Sequence, residues 1–330
     1  MVAGRRSLAV AGALAIVYVV WGSTYLGIAL AIESMPPLLH AGVRFLLAGA
    51  VLLWLTRRAS SEPRPDRSQW TAALLTGTLL LAIGNGGVSW GQQHVASGVA
   101  ALVIATIPLW VVVLDRIFFG ARLPLLAVAG VVVGFGGIAL LVNPSSSGGL
   151  HLGGTLALLL AAVGWSTGTL LSRGQRLTVP PLVGAGMQML CGGAVLIVAG
   201  AATGELGDVQ LSQVTLRSTL ALAYLVVFGS LVAFSAYAWL LRNAQTSLVA
   251  TYAYVNPVVA VALGWLVLDE TVSARTLVAG ALILGAVALI VSARSRPDET
   301  PSPGRAPAPT RPAPGRRLDP RRAAAAIRGR

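Results

Sequence analysis

Ten runs of mainly apolar residues, each about as long as a bilayer is thick, constrain this chain more than any other feature. They cover 8–32, 36–56, 70–90, 97–119, 124–142, 152–172, 180–202, 218–241, 247–268 and 273–293. A helix of roughly 20 residues crosses a hydrocarbon layer of about 30 Å. The chain is 55% hydrophobic and 11% charged, against about 25% charged in soluble domains. A globular interior of this size could not hide that much apolar surface, so lipid must cover the rest. Lipid offers the backbone no partners, which leaves helices as the economical way across. The expected fold is therefore all-α and integral to the membrane, with ten transmembrane helices. The first run is longer than the roughly 7–15 apolar residues of a signal peptide. It reads as an uncleaved first helix.

Charge sets the expected orientation. Connections on the cytoplasmic side collect positive residues. With the N-terminus inside, inner segments hold Arg5, Arg6, Arg57, Arg58, Arg64, Arg67, Arg116, Arg122, Arg173, Arg176 and Arg242. The outer connections hold only Arg217 and Arg275, and the inner C-terminal tail adds ten further arginines. The net charge of +13 is thus a topology signal in a multi-pass cell-membrane protein and not a nucleic-acid footprint. Residues 1–7 read as a cytoplasmic N-terminus. Residues 294–330, rich in Pro, Arg and Ala, read as a disordered cytoplasmic tail. That tail either anchors the topology or meets anionic headgroups. The single Cys191 and the scattered His40, His94 and His151 form no metal-ligand pattern, and no cofactor is expected.

Two units are legible, 8–142 and 152–293, matching at an offset of roughly 143–150 residues. Ser23-Thr24 aligns with Ser166-Thr167, and Pro36-Pro37 with Pro180-Pro181. Trp90 aligns with Trp239, Pro108 with Pro257, and Gly130 with Gly280. Five spans is an odd number, so the second unit would enter the membrane inverted. Inverted repeats are common in transporters, with the solute held near the midplane between halves.

Specific motifs add to this. Helix 1 carries Val20-Trp21-Gly22-Ser23-Thr24-Tyr25, followed by Glu33-Ser34-Met35-Pro36-Pro37 and Ala41-Gly42-Val43-Arg44-Phe45. Later come Tyr252-Ala253-Tyr254-Val255-Asn256-Pro257 and Leu268-Asp269-Glu270-Thr271. Over residues 8–293 the chain resembles the drug/metabolite transporter superfamily, in its EamA-type ten-helix family. The resemblance implies two inverted five-helix repeats and export of metabolites, amino acids or drugs, although some relatives import sugars or exchange substrates. One departure is Ala121, where the family usually has an acidic residue.

Several residues could carry transport. Arg44 lies eight residues after Pro36, about 12 Å into the layer. A central Arg costs about 2.5–3.5 kcal/mol on insertion scales, so it should face the bundle interior. It either binds an anionic group of the solute or gates its path, or else ties to helix carbonyls or to Glu33. Its repeat mate is Gln188, which suggests a shared cavity. Trp21, Ser23 and Thr24, with Trp165, Ser166 and Thr167, sit near mid-helix. Their hydroxyls can bond a solute or the preceding turn, and the indoles can cover its face. Pro108 and Pro257 should kink their helices. Tyr252 and Asn256, four residues apart, share a face, while Tyr254 points elsewhere; Asn85 is a further polar candidate. The small pairs Gly130/Gly134 and Ala281/Gly285 permit close contact between helices 5 and 10, or a homodimer seam of an otherwise monomeric protein.

All eleven acidic residues lie at segment ends, in connections or in the tail. No carboxylate relay crosses the membrane, which leaves facilitated diffusion or coupling through Glu33. The expected function is a secondary transporter, with a small-molecule solute and the bilayer as its expected partners. Alternatives are a solute importer or exchanger, a non-transporting receptor or scaffold, or a lipid enzyme. The last lacks any paired nucleophile and base.

Overall fold

Helices form here because an apolar solvent leaves the backbone only itself to bond with. The computed structural model describes residues 2–59, 64–121, 124–142, 151–174 and 179–295. The C-terminal tail from 296 lies outside the described residues, as do Glu62 and Arg122. Among the described residues all regular structure is helical. Eight helices are long and apolar enough to cross a membrane. They are α1 (Val2–Ile32), α2 (Pro37–Ala59), α3 (Arg67–Gly91), α4 (Ser97–Phe119), α6 (Leu152–Gly174), α7 (Pro181–Ala202), α8 (Leu216–Asn243) and α10 (Ala274–Ser295). Two shorter apolar helices complete the order, α5 (Leu125–Val142) and α9 (Tyr252–Leu268).

Their ends follow local chemistry. Pro37 and Pro181 open α2 and α7, where a missing N–H costs nothing. Asp66 and Gln69 form a reciprocal cap on α3, with both bonds at 2.8 Å. The Thr215 hydroxyl accepts from the Ser218 amide at 3.2 Å and starts α8. Gly120 ends α4 at φ 66°, a left-handed conformation that glycine adopts without strain.

Small residues set the packing. α2 lies along α7, and α5 along α10. A Cβ on Gly49 would come within 2.9 Å of the Gly186 carbonyl, and one on Gly192 within 2.6 Å of the Gly77 carbonyl. Gly130, Gly134 and Gly137 face Ala286, Ile290 and Ile283 of α10. The first of the two small pairs thus lies at the α5–α10 contact. Ala281 and Gly285 instead sit on an exposed face of α10, on the side of the helix opposite Ala279, Ile283 and Ala286. Large apolar side chains such as Leu47, Val132, Val198, Trp265 and Leu277 cover the outside, as a lipid-facing surface requires.

Four departures from regular α-helix interrupt this frame. α3 widens to π-helix over Thr78–Asn85, and α8 over Leu225–Val232. α4 breaks at a turn formed by Ala105 and Thr106. A turn at Ala250–Thr251 separates Thr246–Val249 from α9. Pro108 therefore stands at the start of the resumed helix Ile107–Phe119, not as a kink within one. Pro257 lies inside α9.

The tight glycine contacts give a direct test. Gly192→Ala should destabilise the protein by about 1–3 kcal/mol, because backbone and not a movable side chain opposes the new methyl. Gly136→Ala, where a Cβ meets nothing within 4 Å, should be neutral or slightly stabilising. Unfolding midpoints in detergent compare the two, and equal midpoints would contradict the packing.

Candidate functional site

The departures from regular helix converge on one cavity. It has a volume of ≈ 110 Å³ and takes its lining from seven helices. α1 supplies Trp21, Thr24, Tyr25 and Ile28, whose i, i+3, i+4, i+7 spacing presents one face. α2 supplies Arg44, α3 supplies Gly84, Asn85 and Val88, and α4 supplies Ile104 and Ile107 across its break. Ala161 and Trp165 come from α6, Phe234 from α8, and Tyr252 and Asn256 from α9. The wall is largely aromatic: Trp21 meets Phe234, Tyr237 and Tyr252 with ring centroids 5.0–5.4 Å apart.

The polar groups are few. Arg44 is 4% exposed, and its Nε donates to the Ser230 hydroxyl at 3.0 Å. Ser230 and Gly229 belong to the π segment of α8. A Cβ on Gly229 would stand 3.1 Å from an Arg44 Nη, so the glycine makes room for the guanidinium. The Trp21 Nε1 donates to the Gly229 carbonyl at 3.3 Å. Asn85 ends the π segment of α3 and donates weakly to Leu80 O at 3.4 Å. The Asn256 amide, oriented to satisfy its neighbours, donates to the carbonyls of Tyr18 and Tyr252 at 3.3 and 3.2 Å.

Of the residues singled out from sequence, Trp21, Thr24, Arg44, Asn85, Trp165, Tyr252 and Asn256 therefore meet in one place. Gln188 lies elsewhere: its Nε2 donates to the Thr76 hydroxyl at 2.9 Å between α7 and α3. Ser23 bonds the Tyr224 hydroxyl at 2.6 Å. Ser166 is buried and donates to the carbonyls of Ala162 and Ile107, tying α6 to the α4 break. Thr167 donates to Val163 one turn back. Tyr254 points away, its hydroxyl 3.4 Å from the Val287 carbonyl of α10. Arg44 has no tie to Glu33, which is paired with Arg217 at 3.5 Å and partly exposed. Tyr25, Ile28 and Phe234 were not foreseen, although the spacing of Tyr25 and Ile28 from Trp21 carried the signal.

A second set of contacts gathers at the end where the α1–α2, α3–α4, α7–α8 and α9–α10 connections lie, here termed the distal end. Glu205 is 8% exposed and accepts the amides of Leu38 and Leu39 at the start of α2, at 2.9–3.1 Å. Glu270 accepts the amides of Ser97 and Gly98 at the start of α4, at 2.6 and 3.1 Å. Carboxylates favour helix N-termini, where amides lack intrahelical partners. The Ser218 hydroxyl adds a bond to the Leu30 carbonyl at 2.7 Å, and Arg275 Nε one to Leu140 O. Each of these joins α6–α10 or their connections to α1–α5. A recess of ≈ 410 Å³ beside them is lined by Glu33, Glu205 and Asp208 among others.

A profile of the EamA-like transporter family matches residues 9–143 and 152–292, and the chain belongs to that family. It is 42% identical over 293 residues to the "Uncharacterized inner membrane transporter YedA" of Escherichia coli (strain K12), covering 87% of this chain and 92% of that one. It is 24% identical over 284 residues to the "Uncharacterized transporter YvbV" of Bacillus subtilis (strain 168), covering 86% and 91%. A crystal structure of a protein 23% identical in sequence shares the fold, with a TM-score of 0.61 over 87% of this chain and 98% of that one. The chain is thus a membrane transporter and not an enzyme.

Glu270→Ala removes two charge-assisted bonds, each contributing about 1.5–3 kcal/mol. Amide exchange at Ser97 and Gly98 should then quicken by roughly tenfold or more, read by hydrogen-exchange mass spectrometry. Glu33→Ala should leave it unchanged. Equal effects from both would show that Glu270 does not hold α4.

Proposed function

We propose that this protein exports a small polar or amphipathic metabolite across the cell's inner membrane by alternating access between two inverted five-helix units. The observation that carries the reading is the cavity itself, whose lining is shared by the two units, with Trp21 and Arg44 from the first and Trp165 and Asn256 from the second. Packing supports the repeat. α1 packs on α9 and α8, as α6 packs on α4 and α3; α2 packs on α8, as α7 packs on α3. α2–α7, α4–α9 and α5–α10 pair a helix with its own counterpart. Exchanging each helix with the one five places on returns each of these pairings. On this reading the shorter α5 and α9 also cross, giving ten spans.

Arginine placement puts the termini in the cytoplasm and the distal end outside. The carboxylate caps then close the outer face, and the solute loads from within. Arg44, Asn85, Thr24 and Asn256 orient its polar groups, while Trp21, Trp165 and Tyr252 supply flat walls. Gln188, Ser23 and Ser166 hold neighbouring helices in register. The α4 break before Pro108 and the Pro257 segment of α9 are the flexing points. Ala121 matters for the same motion. It stands where Glu270 stands in the second unit, so α9 lacks the carboxylate cap that α4 receives from Glu270. Outer closure is therefore favoured over inner closure. Glu33, exposed and already paired, is a weak site for ion coupling.

Two experiments test this. In a Cys191→Ala background, cysteines at Ser34 and Gln210 should label from outside intact cells, and one at Arg64 only after permeabilisation. Labelling of Arg64 and Gln210 from one side would exclude the inverted arrangement. Proteoliposomes carrying the protein should show solute counterflow for some fraction of a cell extract, and Arg44→Ala should reduce it at least tenfold with insertion intact. Undiminished counterflow would remove Arg44 from the path.

A further inference from the structure

The cavity walls constrain which charge the solute carries. We infer that it bears a carboxylate, held by the guanidinium of Arg44 against an aromatic wall, a conclusion that rests on the central cavity being the transport site. Arg44 is nineteen-twentieths buried, yet only one of its five N–H donors has a protein partner, and that partner is the neutral hydroxyl of Ser230. Among the described residues no carboxylate lies within 4.0 Å of it. Its own helix offers the face of Phe45, whose ring centroid lies 4.8 Å from the guanidinium carbon, a contact that leaves the N–H donors without acceptors. His40, one turn before it, is itself a base, with Nδ1 turned to the Pro37 carbonyl and Nε2 buried without a partner.

A buried cation is normally paired. Here the side chain lines a cavity, so the missing partner is taken to be an occupant. A guanidinium presents parallel N–H groups that match a planar carboxylate. Asn85 and Thr24 on the same lining can take further polar atoms of the solute. The rest of the wall, with Trp21, Trp165 and Phe234, suits a compact apolar body. A purely cationic solute would meet like charge with no acid to offset it. The ≈ 110 Å³ space is well below the roughly 300–1,000 Å³ of drug-sized pockets, which favours a small monocarboxylate over a large drug.

Binding to the purified full chain in nanodiscs tests this without knowledge of the natural solute. The probes are propionate, propionamide and propylamine, and the larger benzoate, benzamide and benzylamine, with chloride as an inorganic anion. Calorimetry should show at least one carboxylate binding tenfold or more tighter than its amide, its amine and chloride. Arg44→Gln should abolish that preference while keeping the unfolding midpoint, and Arg44→Lys should restore part of it. Equal binding of amide or amine, binding of none of the probes, or chloride as strong as carboxylate would overturn the inference. If Arg44→Gln unfolds, the wild-type series still decides. Counterflow of solutes regardless of charge would defeat this inference and leave transport standing. Carboxylate binding without any flux would do the reverse.

Discussion

A backbone amide inside a bilayer has only protein to bond with, and the structure is organised by that restriction. Straight α-helix satisfies it everywhere, so any departure needs a local reason. The departures here are not scattered. The π segment of α3 ends at Asn85, that of α8 contains Gly229 and Ser230, and the α4 break lies between Ile104 and Ile107. All of these border the cavity or touch Arg44, which lines it. Wide turns free carbonyls and separate side chains, and such segments often mark functional sites. Here they leave space at the centre that regular helices packed through glycine would have closed.

The same restriction acts at helix ends. The first amides of a helix have no partner within it. At the start of α2 and α4 they are met by carboxylates from the opposite half of the chain, Glu205 and Glu270. A cap supplied within one helix would stabilise that helix alone. A cap supplied across the halves makes helix-end satisfaction depend on how the halves sit together. Any movement that parts the distal connections must leave those amides to water or to another acceptor. The acids that were unremarkable in the sequence, being at segment ends, are therefore the ones best placed to register a rearrangement.

Much of the fold was legible beforehand, because length and apolarity are local properties and the bilayer thickness is fixed. The segments 36–56, 97–119 and 180–202 agree with α2, α4 and α7 within a few residues. Pairing of small residues was half legible. Gly130 and Gly134 do face α10, but Ala281 and Gly285 turn outward, since spacing identifies a stripe without saying which neighbour it meets. Gln188 failed as a cavity residue for a related reason. Equivalence by offset places a residue at a depth, not on a face, and α7 turns Gln188 toward Thr76 of α3. The π segments left no periodic signal at all. They lie beside Arg44 and Asn85, with only Gly84 and Gly229 as local hints.

Arg44 draws these strands together. Its depth was evident from its distance to Pro36, but the chemistry depends on what does not approach it. Were it a structural tie, helix carbonyls or a carboxylate would be expected to occupy its terminal nitrogens, since removing water from a guanidinium without replacement is costly. Instead a glycine at 229 clears its flank, the Phe45 ring lies against it, a lone serine fixes its Nε, and the side chain lines the cavity. Packing that holds a side chain in position while leaving most of its donors without acceptors gives a reason for the surrounding departures from regular helix: they keep the guanidinium pre-oriented for something that comes and goes.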